Sequence, residues 1–248
     1  MGSNLTWCAG RFADTGLCQT KFAREDAMQS KKNHTKGQRT ERQLKDAALE
    51  ILSEDGYHDL KVTEVAKRAG LSAGVFYIYF KSKDELVSAI FDEWISEGVK
   101  DIFREPSSSD PFEAILDANR RYVALLYQRG GLVRALFQIL DQLPTARAKW
   151  RQSNSAVARK IASAMERRTP DAVAGESARI FSALAAQAML DTMLVNALAF
   201  DDPDTQDVAS NPERFAQALS ILWYKLLYGQ SPPADKCSEA IDFLPRKI

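Results

Sequence analysis

Between Lys61 and Lys83 the chain gathers side chains suited to holding phosphate. Lys61, Lys81 and Lys83 carry charge, Thr63 and Ser72 carry hydroxyls, and Tyr77 and Tyr79 carry phenols. Contacts of this kind give salt-dependent affinity without reading sequence. Small and apolar residues interleave with them. Gly74 removes a side chain where a helix and a groove approach, Ala73 keeps the same surface low, and Val75 suits a thymine methyl, a contact that needs neither donor nor acceptor. The chemistry these residue types suit is noncovalent contact with duplex DNA. Phosphate anchoring is better supplied than direct base reading, which leaves specificity to DNA shape or to Lys61 and Thr63 at the groove edge.

Covalent chemistry has little material. His34 and His58 are the only histidines, and the chain has neither a P-loop nor a G-x-G-x-x-G run. The acidic pairs Glu54-Asp55 and Asp201-Asp202 fall at helix ends or in loops, where solvated roles dominate. Cys8, Cys18 and Cys237 are an odd number with no metal-ligand spacing, which argues against a disulfide framework and fits a reducing cytoplasm. The expectation is a protein that is no enzyme and needs neither cofactor nor metal.

The elements that must position the phosphate-binding groups are legible from spacing. Val62, Val65, Ala66 and Ala69 repeat every three to four residues, so a short helix ends at Gly70, the residue suited to a left-handed stop. Leu71 plugs the angle, and Ser72 caps a second helix whose Phe76 and Phe80, four apart, face inward. Helix, sharp turn and helix make a helix-turn-helix, which sets the second helix into the major groove. Ser72 and the N–H groups beside it then form a positive helix end for a phosphate oxygen.

The run V-x-x-V-A-x-x-A-G-L-S-x-G-x-F-Y-x-Y-F-K-S-K-D-E-L, from Val62 to Leu86, resembles the DNA-binding signature of the TetR family of transcriptional regulators. The resemblance implies an N-terminal DNA-binding unit and a C-terminal helical domain that binds a small effector and dimerises. It also implies that the last two long helices form the subunit interface and that Tyr77 and Tyr79 are the family's phosphate-reaching aromatic pair.

Overall charge does not advertise DNA binding, since formal net charge is zero and the sequence pI about 6.8. Local charge does. Residues 61–83 hold five basic side chains against Glu64, and residues 31–45 hold six, Arg39 among them, against Glu41. Residues 1–36 lack periodicity and read as a flexible extension, or as sequence upstream of a start at Met28. No apolar run approaches the roughly twenty residues of a membrane span, so no membrane partner is expected.

The fold expected is all-α. A flexible stretch occupies 1–36, a three-helix DNA-binding domain 37–84, a helical ligand-binding and dimerisation domain 85–229 and a tail 230–248. The first helix opens on a T-x-x-Q capping box at Thr40–Gln43 and buries Leu44, Ala47, Ala48, Ile51 and Leu52. Ser82–Glu85, S-x-x-E, caps a long fourth helix that leaves the DNA-binding unit. Asp110-Pro111, Thr169-Pro170-Asp171 and Asn211-Pro212 open later helices, Pro144 interrupts one, and Asp201–Asp204 reads as a solvated connector. Large and soft side chains, Trp94, Phe103, Tyr122, Tyr127, Phe137, Trp150, Phe181, Met189 and Met193, point to an apolar effector pocket. Arg120, Arg121, Gln138, Gln187 and Asn196 are candidate polar anchors. Ala185 with Phe215, Leu219, Leu222 and Trp223 forms the expected dimer seam. The function expected is a homodimeric regulator, a repressor, released from a palindromic operator by a small apolar ligand. The alternative is a ligand-independent architectural DNA-binding dimer, which a pocket-free second domain would favour.

Overall fold

The computed structural model describes residues 35–102, 104, 108–128, 130–168 and 175–237. Phe103, the start of a helix at Thr169-Pro170-Asp171, Cys8, Cys18, His34 and most of the 1–36 extension lie outside the described residues. The described chain is helical throughout, as expected. The chain divides into two units between Arg42 and Gln43, the boundary falling inside the first helix.

Helix α1 runs Lys36–Glu54 and buries Leu44, Ala47, Ala48, Ile51 and Leu52, the face that periodicity selects. Its capping box lies five residues earlier than expected. The Thr35 amide donates to Gln38 Oε1 at 2.9 Å and the Gln38 amide donates to Thr35 Oγ1 at 3.3 Å, whereas Thr40 is already helical and its hydroxyl donates to the Lys36 carbonyl. One turn, α2 (Gly56–Asp59), follows. Then come α3 (Val62–Arg68), α4 (Ala73–Tyr79) and the long α5 (Lys83–Ile102). The Glu85 amide donates to Ser82 Oγ at 3.2 Å and the Lys81 amide to Glu85 Oε2 at 2.6 Å, so the expected cap starts α5.

Helix α6 (Pro111–Gln128) opens on Asp110, whose Oδ1 accepts from the Glu113 amide at 3.0 Å. Helix α7 spans Gly130–Gln142, and α8 spans Pro144–Arg168. Pro144 therefore begins a helix rather than merely interrupting one, because proline at the first helical position has no amide to lose. Helix α9 covers Glu176–Leu198. The acidic connector holds a seven-residue helix, α10 (Pro203–Ala209), whose cap is the Asp202 carboxylate accepting from the Asp204 amide. Helix α11 (Pro212–Tyr228) starts on Asn211, which accepts from two amides, and stops at Gly229 in the left-handed region at φ +68°.

Two apolar clusters result. One joins α1 to α5, with Phe76 and Val65 fully buried, and it also takes in Ala135, Leu136, Ile139 and Leu143 from α7 and its end. The other joins α6, α9, α10 and α11, and Trp94 packs against both. Helix α7 thus leans on the helix-turn-helix, a contact the local patterns did not reveal. Its Gln138 Oε1 accepts from the Tyr57 amide at 2.7 Å, where the backbone turns at Gly56 with φ +83°. Tyr57 donates its hydroxyl to Asp84 at 2.6 Å and supplies core packing, as a lid would. Burial and the Asp84 carboxylate both push the Tyr57 phenol upward.

By length and composition α9 could cross a membrane, contrary to the expectation that no run approaches that size. Within the chain it packs on α8 and α11, with Gln187 turned inward.

Candidate nucleic-acid interface and effector cavity

The turn between α3 and α4 is built from two crossed hydrogen bonds. The Gly70 amide donates to the Lys67 carbonyl at 3.0 Å and the Leu71 amide to the Ala66 carbonyl at 2.8 Å, with Gly70 at φ +70°. This Schellman arrangement satisfies the end of α3 and aims the chain back into α4. Ser72 then caps α4, its Oγ accepting from the Val75 amide at 3.4 Å. Phe76 is buried under the turn with Phe80 at 5.9 Å between ring centroids, so the opposite face of α4 is turned outward. Replacing a ring buried like Phe76 by alanine costs about 3–5 kcal/mol, enough to lose the geometry with the ring.

On that outward face Ile78 is 76% exposed and Tyr77 58% exposed, Gly74 is exposed, and Ala73 and Val75 are half-buried. Lys61, Thr63, Ser72 and Lys81 are exposed around it. Tyr79 is half-buried against the reading-unit core. Arg39 is exposed on the first turns of α1. Of the other basic groups in this segment, Arg68 binds Glu54 at 2.6 Å and Lys67 lies 3.8 Å from Glu64.

Lys83 departs from expectation. Its ammonium donates to the carbonyls of Tyr57 at 3.1 Å and Leu60 at 3.3 Å, and it stands 4.5 Å above the Tyr57 ring. A cation placed on the open carbonyls at the end of α2 satisfies them and the helix dipole together. Lys83 is therefore engaged as a strut inside the protein.

A cavity of about 80 Å³ lies between α5, α6, α8, α9 and α11. Trp94, Tyr122 and Trp150 of the expected pocket line it, as does the candidate anchor Gln187. The Trp94 and Trp150 ring planes are 4° apart with centroids at 6.2 Å. Gly98 lets α6 approach, since a Cβ there would meet Leu125 at 3.3 Å.

The other pocket candidates are elsewhere. Tyr127 donates its hydroxyl to the Ala209 carbonyl at 2.6 Å and packs on Phe215, while Met189 and Met193 pack on the core. Phe137 and Phe181 are surface residues, 43% and 74% exposed, each on the side of its helix turned away from the core. Among the remaining anchors, Arg120 pairs with Glu213, Arg121 with Asp117 and the Ile102 carbonyl, and Gln138 with Tyr57. The Asn196 backbone carbonyl accepts from the Asp202 amide.

Three residues of the expected dimer seam lie inside the subunit. Phe215 and Leu219 are 1% exposed and Trp223 lines the cavity, donating its indole N–H to the Ala186 carbonyl at 2.6 Å. Helix α11 is buried on nearly all sides within the subunit, so these rings are already used. Ala185 and Leu222 are half-buried. The apolar stripe left outside is Phe181, Leu184 and Ala188 on α9, with Leu226 on α11.

Sequence reading missed Asp191, Asn119, Asn154 and Trp223 in the lining. Asp191 carried a signal, being the one ionisable residue between Ala183 and Leu198 of an apolar helix. Its Oδ1 accepts the Tyr122 hydroxyl at 2.7 Å. Desolvation pushes its carboxyl up to about 6, against the opposing effect of that hydrogen bond. Burial, then the Asp191 charge, holds the Tyr122 phenol well above its usual value. Beside the cavity, and sharing Ile102, Ala118 and Trp223 with it, runs a surface groove of about 520 Å³ to which Arg121, Arg159, Lys160 and Arg167 contribute.

Comparison with known proteins agrees with this geometry. Residues 44–90 match the family model described as bacterial regulatory proteins, tetR family. The fatty acid metabolism regulator protein of Bacillus subtilis is 38% identical over 58 residues, 23% of this chain and 30% of that protein. The HTH-type transcriptional regulator BetI of Escherichia coli is 34% identical over 85 residues, 32% of this chain and 43% of its own length. The chain thus spans well under two thirds of these curated relatives. Among solved structures, a transcriptional regulator from Rhodococcus aligns with TM-score 0.62 at 21% identity over 76% of this chain and 96% of that one. The fatty acid degradation regulator FadR of Bacillus halodurans aligns with TM-score 0.59 at 18% identity over 77% and 96%. At such identities the two structures speak for the fold.

Proposed function

Since the chain belongs to the tetR family of bacterial regulatory proteins through residues 44–90, we propose that it is a homodimeric transcriptional repressor released from a palindromic operator by a small, largely apolar effector. The observation that carries the reading is the outward face of α4, where Gly74, Val75, Tyr77 and Ile78 stand clear of the core on a helix fixed from beneath by Phe76. Two such helices about 34–36 Å apart would enter successive major grooves. Tyr77 with Lys61, Ser72 and Lys81 anchors phosphates, and Gly74 and Val75 meet the base edges. Tyr79 contributes mainly packing. The domain division proposed is 37–84 for DNA binding and 85–229 for effector binding and dimerisation.

The cavity supports the effector half of the reading, and it disfavours a purely architectural role. Its wall includes Trp94 of α5, the helix that starts directly behind α4. An effector that favours a tilted α5 separates the two reading helices. Its power equals its affinity difference between the states, so a coupling of about 3 kcal/mol weakens operator binding about 150-fold. The test is operator affinity, with footprinting on selected duplexes: a single half-site footprint, or no sequence preference over bulk DNA, would overturn the palindromic reading.

Lys81 and Lys83 separate two roles of neighbouring cations. Lys81→Ala is expected to lower the salt slope of operator binding by about one unit. Lys83→Ala should leave that slope unchanged while lowering the melting temperature, since the α2 carbonyls lose their donor. Equal slope changes in both would place Lys83 on the DNA after all.

For dimerisation we assign the stripe Phe181, Leu184, Ala188 and Leu226 together with the half-buried Ala185 and Leu222. Phe181→Glu puts a charge into that seam. Sedimentation should show monomers at concentrations where the parent is dimeric, with operator affinity falling at least about ten-fold. A variant that stays dimeric would move the seam elsewhere.

A further inference from the structure

We propose that the cavity takes a small organic ammonium, with the Asp191 carboxylate as its counter-ion and the indole faces of Trp94 and Trp150 as its walls. The proposal rests on the effector reading above and names the ligand's chemical class.

Asp191 poses the question. It lines a chamber made mostly of apolar and aromatic side chains, and its one protein partner among the described residues is the neutral Tyr122 hydroxyl at 2.7 Å. Tyr122 and Asp191 are the titratable groups in the described lining, which comes from α5, α6, α8, α9 and α11. No lysine or arginine is among them. Arg121, next to Tyr122 in sequence, is engaged elsewhere: its Nη1 meets Asp117 at 2.6 Å and its Nη2 donates to the Ile102 carbonyl. Buried carboxylates are ordinarily paired. Here the chain provides the anion and leaves out the cation.

The rest of the chamber suits the missing partner. Trp94, Trp150, Tyr122 and Trp223 put aromatic rings in the lining, and π faces attract cations most effectively where water is excluded. The Trp94 indole N–H is buried with no hydrogen-bond partner, so it can donate to a hydroxyl or ether oxygen on the same ligand. Size limits the choice. A cavity of roughly 150 Å³ takes the six carbons of benzene, so about 80 Å³ takes about three to four non-hydrogen atoms. That is an ammonium on a short chain, too small for a long acyl tail.

The cation also fixes the direction of the pH response. The Asp191 carboxyl, held near 6 by desolvation, must ionise to serve as counter-ion. Ammonium binding therefore strengthens as pH rises through about 6, by about ten-fold between pH 5 and 7, following the ionised fraction. A neutral or anionic ligand would push the carboxyl further up and give no gain, or a loss, over the same range.

The test uses the full chain with three probes of matched length: n-propylammonium, 1-propanol and propanoate. Tryptophan fluorescence and calorimetry follow binding, and anisotropy of a labelled operator follows release. The expected result is n-propylammonium at least about ten-fold tighter than 1-propanol, with propanoate weakest. Asp191→Asn should bring the first two within about three-fold of each other. The pH series on the unaltered protein stands whether or not that variant folds. Equal binding of ammonium and alcohol, preference for propanoate, or no binding by n-propylammonium at millimolar concentration overturns the assignment. Ammonium that binds with the expected pH profile and leaves operator affinity unchanged sustains the assignment and sinks the effector role instead.

Discussion

A Gly56→Ala variant is expected to melt about 5–10 °C below the parent. Two costs add. Gly56 holds φ +83°, where a side chain is strained by about 1–2 kcal/mol. Its added Cβ would also stand 2.6 Å from Gln138 Oε1, which must then swing away and release the Tyr57 amide, at about 1 kcal/mol. For a chain of this size each kcal/mol lowers the melting temperature by about 2–4 °C. The second cost can be isolated. Gln138→Ala should destabilise the parent by about 1 kcal/mol and the Gly56→Ala background by much less, since the bond is already broken there. Chemical denaturation of the four proteins gives the coupling directly. Strict additivity would mean that Gln138 makes no effective bond to the turn.

Gly74→Leu should do the reverse, leaving the protein intact and abolishing its grip on DNA. A Cβ at Gly74 meets nothing in the protein closer than Ser72 Oγ at 3.7 Å, which is ordinary contact. Replacing a helical glycine should, if anything, stabilise by up to about 1 kcal/mol. Nothing among the described residues therefore asks for glycine at this position. The proposed duplex does, because a leucine there holds α4 away from the groove and weakens every contact beyond it. We expect operator affinity to fall about 100-fold or more, toward the non-specific level, with the melting temperature unchanged or raised. An unimpaired Gly74→Leu protein would show that this face of α4 is not the one that meets DNA.

What the sequence revealed depended on how local the signal was. The buried face of α1, the Gly70 stop and the Ser72, Ser82, Asp110 and Asn211 caps are set by residues within one turn of each other, and the structure reproduces them. The Gln138 bond to Tyr57 joins residues 81 apart, and glutamine gives no hint of where it will be used. Helix α11 hid which of its rings the subunit itself buries, for another reason. Its apolar residues span a face wide enough for both roles, so periodicity could not separate rings kept for the subunit from rings offered to a partner. Helix α9 carries Ala178, Phe181 and Ala188 on its exposed side, which its small residues alone do not announce. For the cavity, aromatic size found three lining residues, but the groups most informative about its chemistry, Asp191 and the unpartnered Trp94 N–H, become visible only when burial is known.

The lean of α7 on the reading unit has a consequence for exchange between relatives. A chimera cut in the loop before α5 would join this helix-turn-helix to a foreign effector bundle and take away Ala135, Leu136, Ile139 and Leu143, which close its core, together with Gln138. The transplantable module is therefore discontinuous: residues 44–91 travel with residues 135–146, and recombination that respects only the linear order of the gene separates a core from its cover.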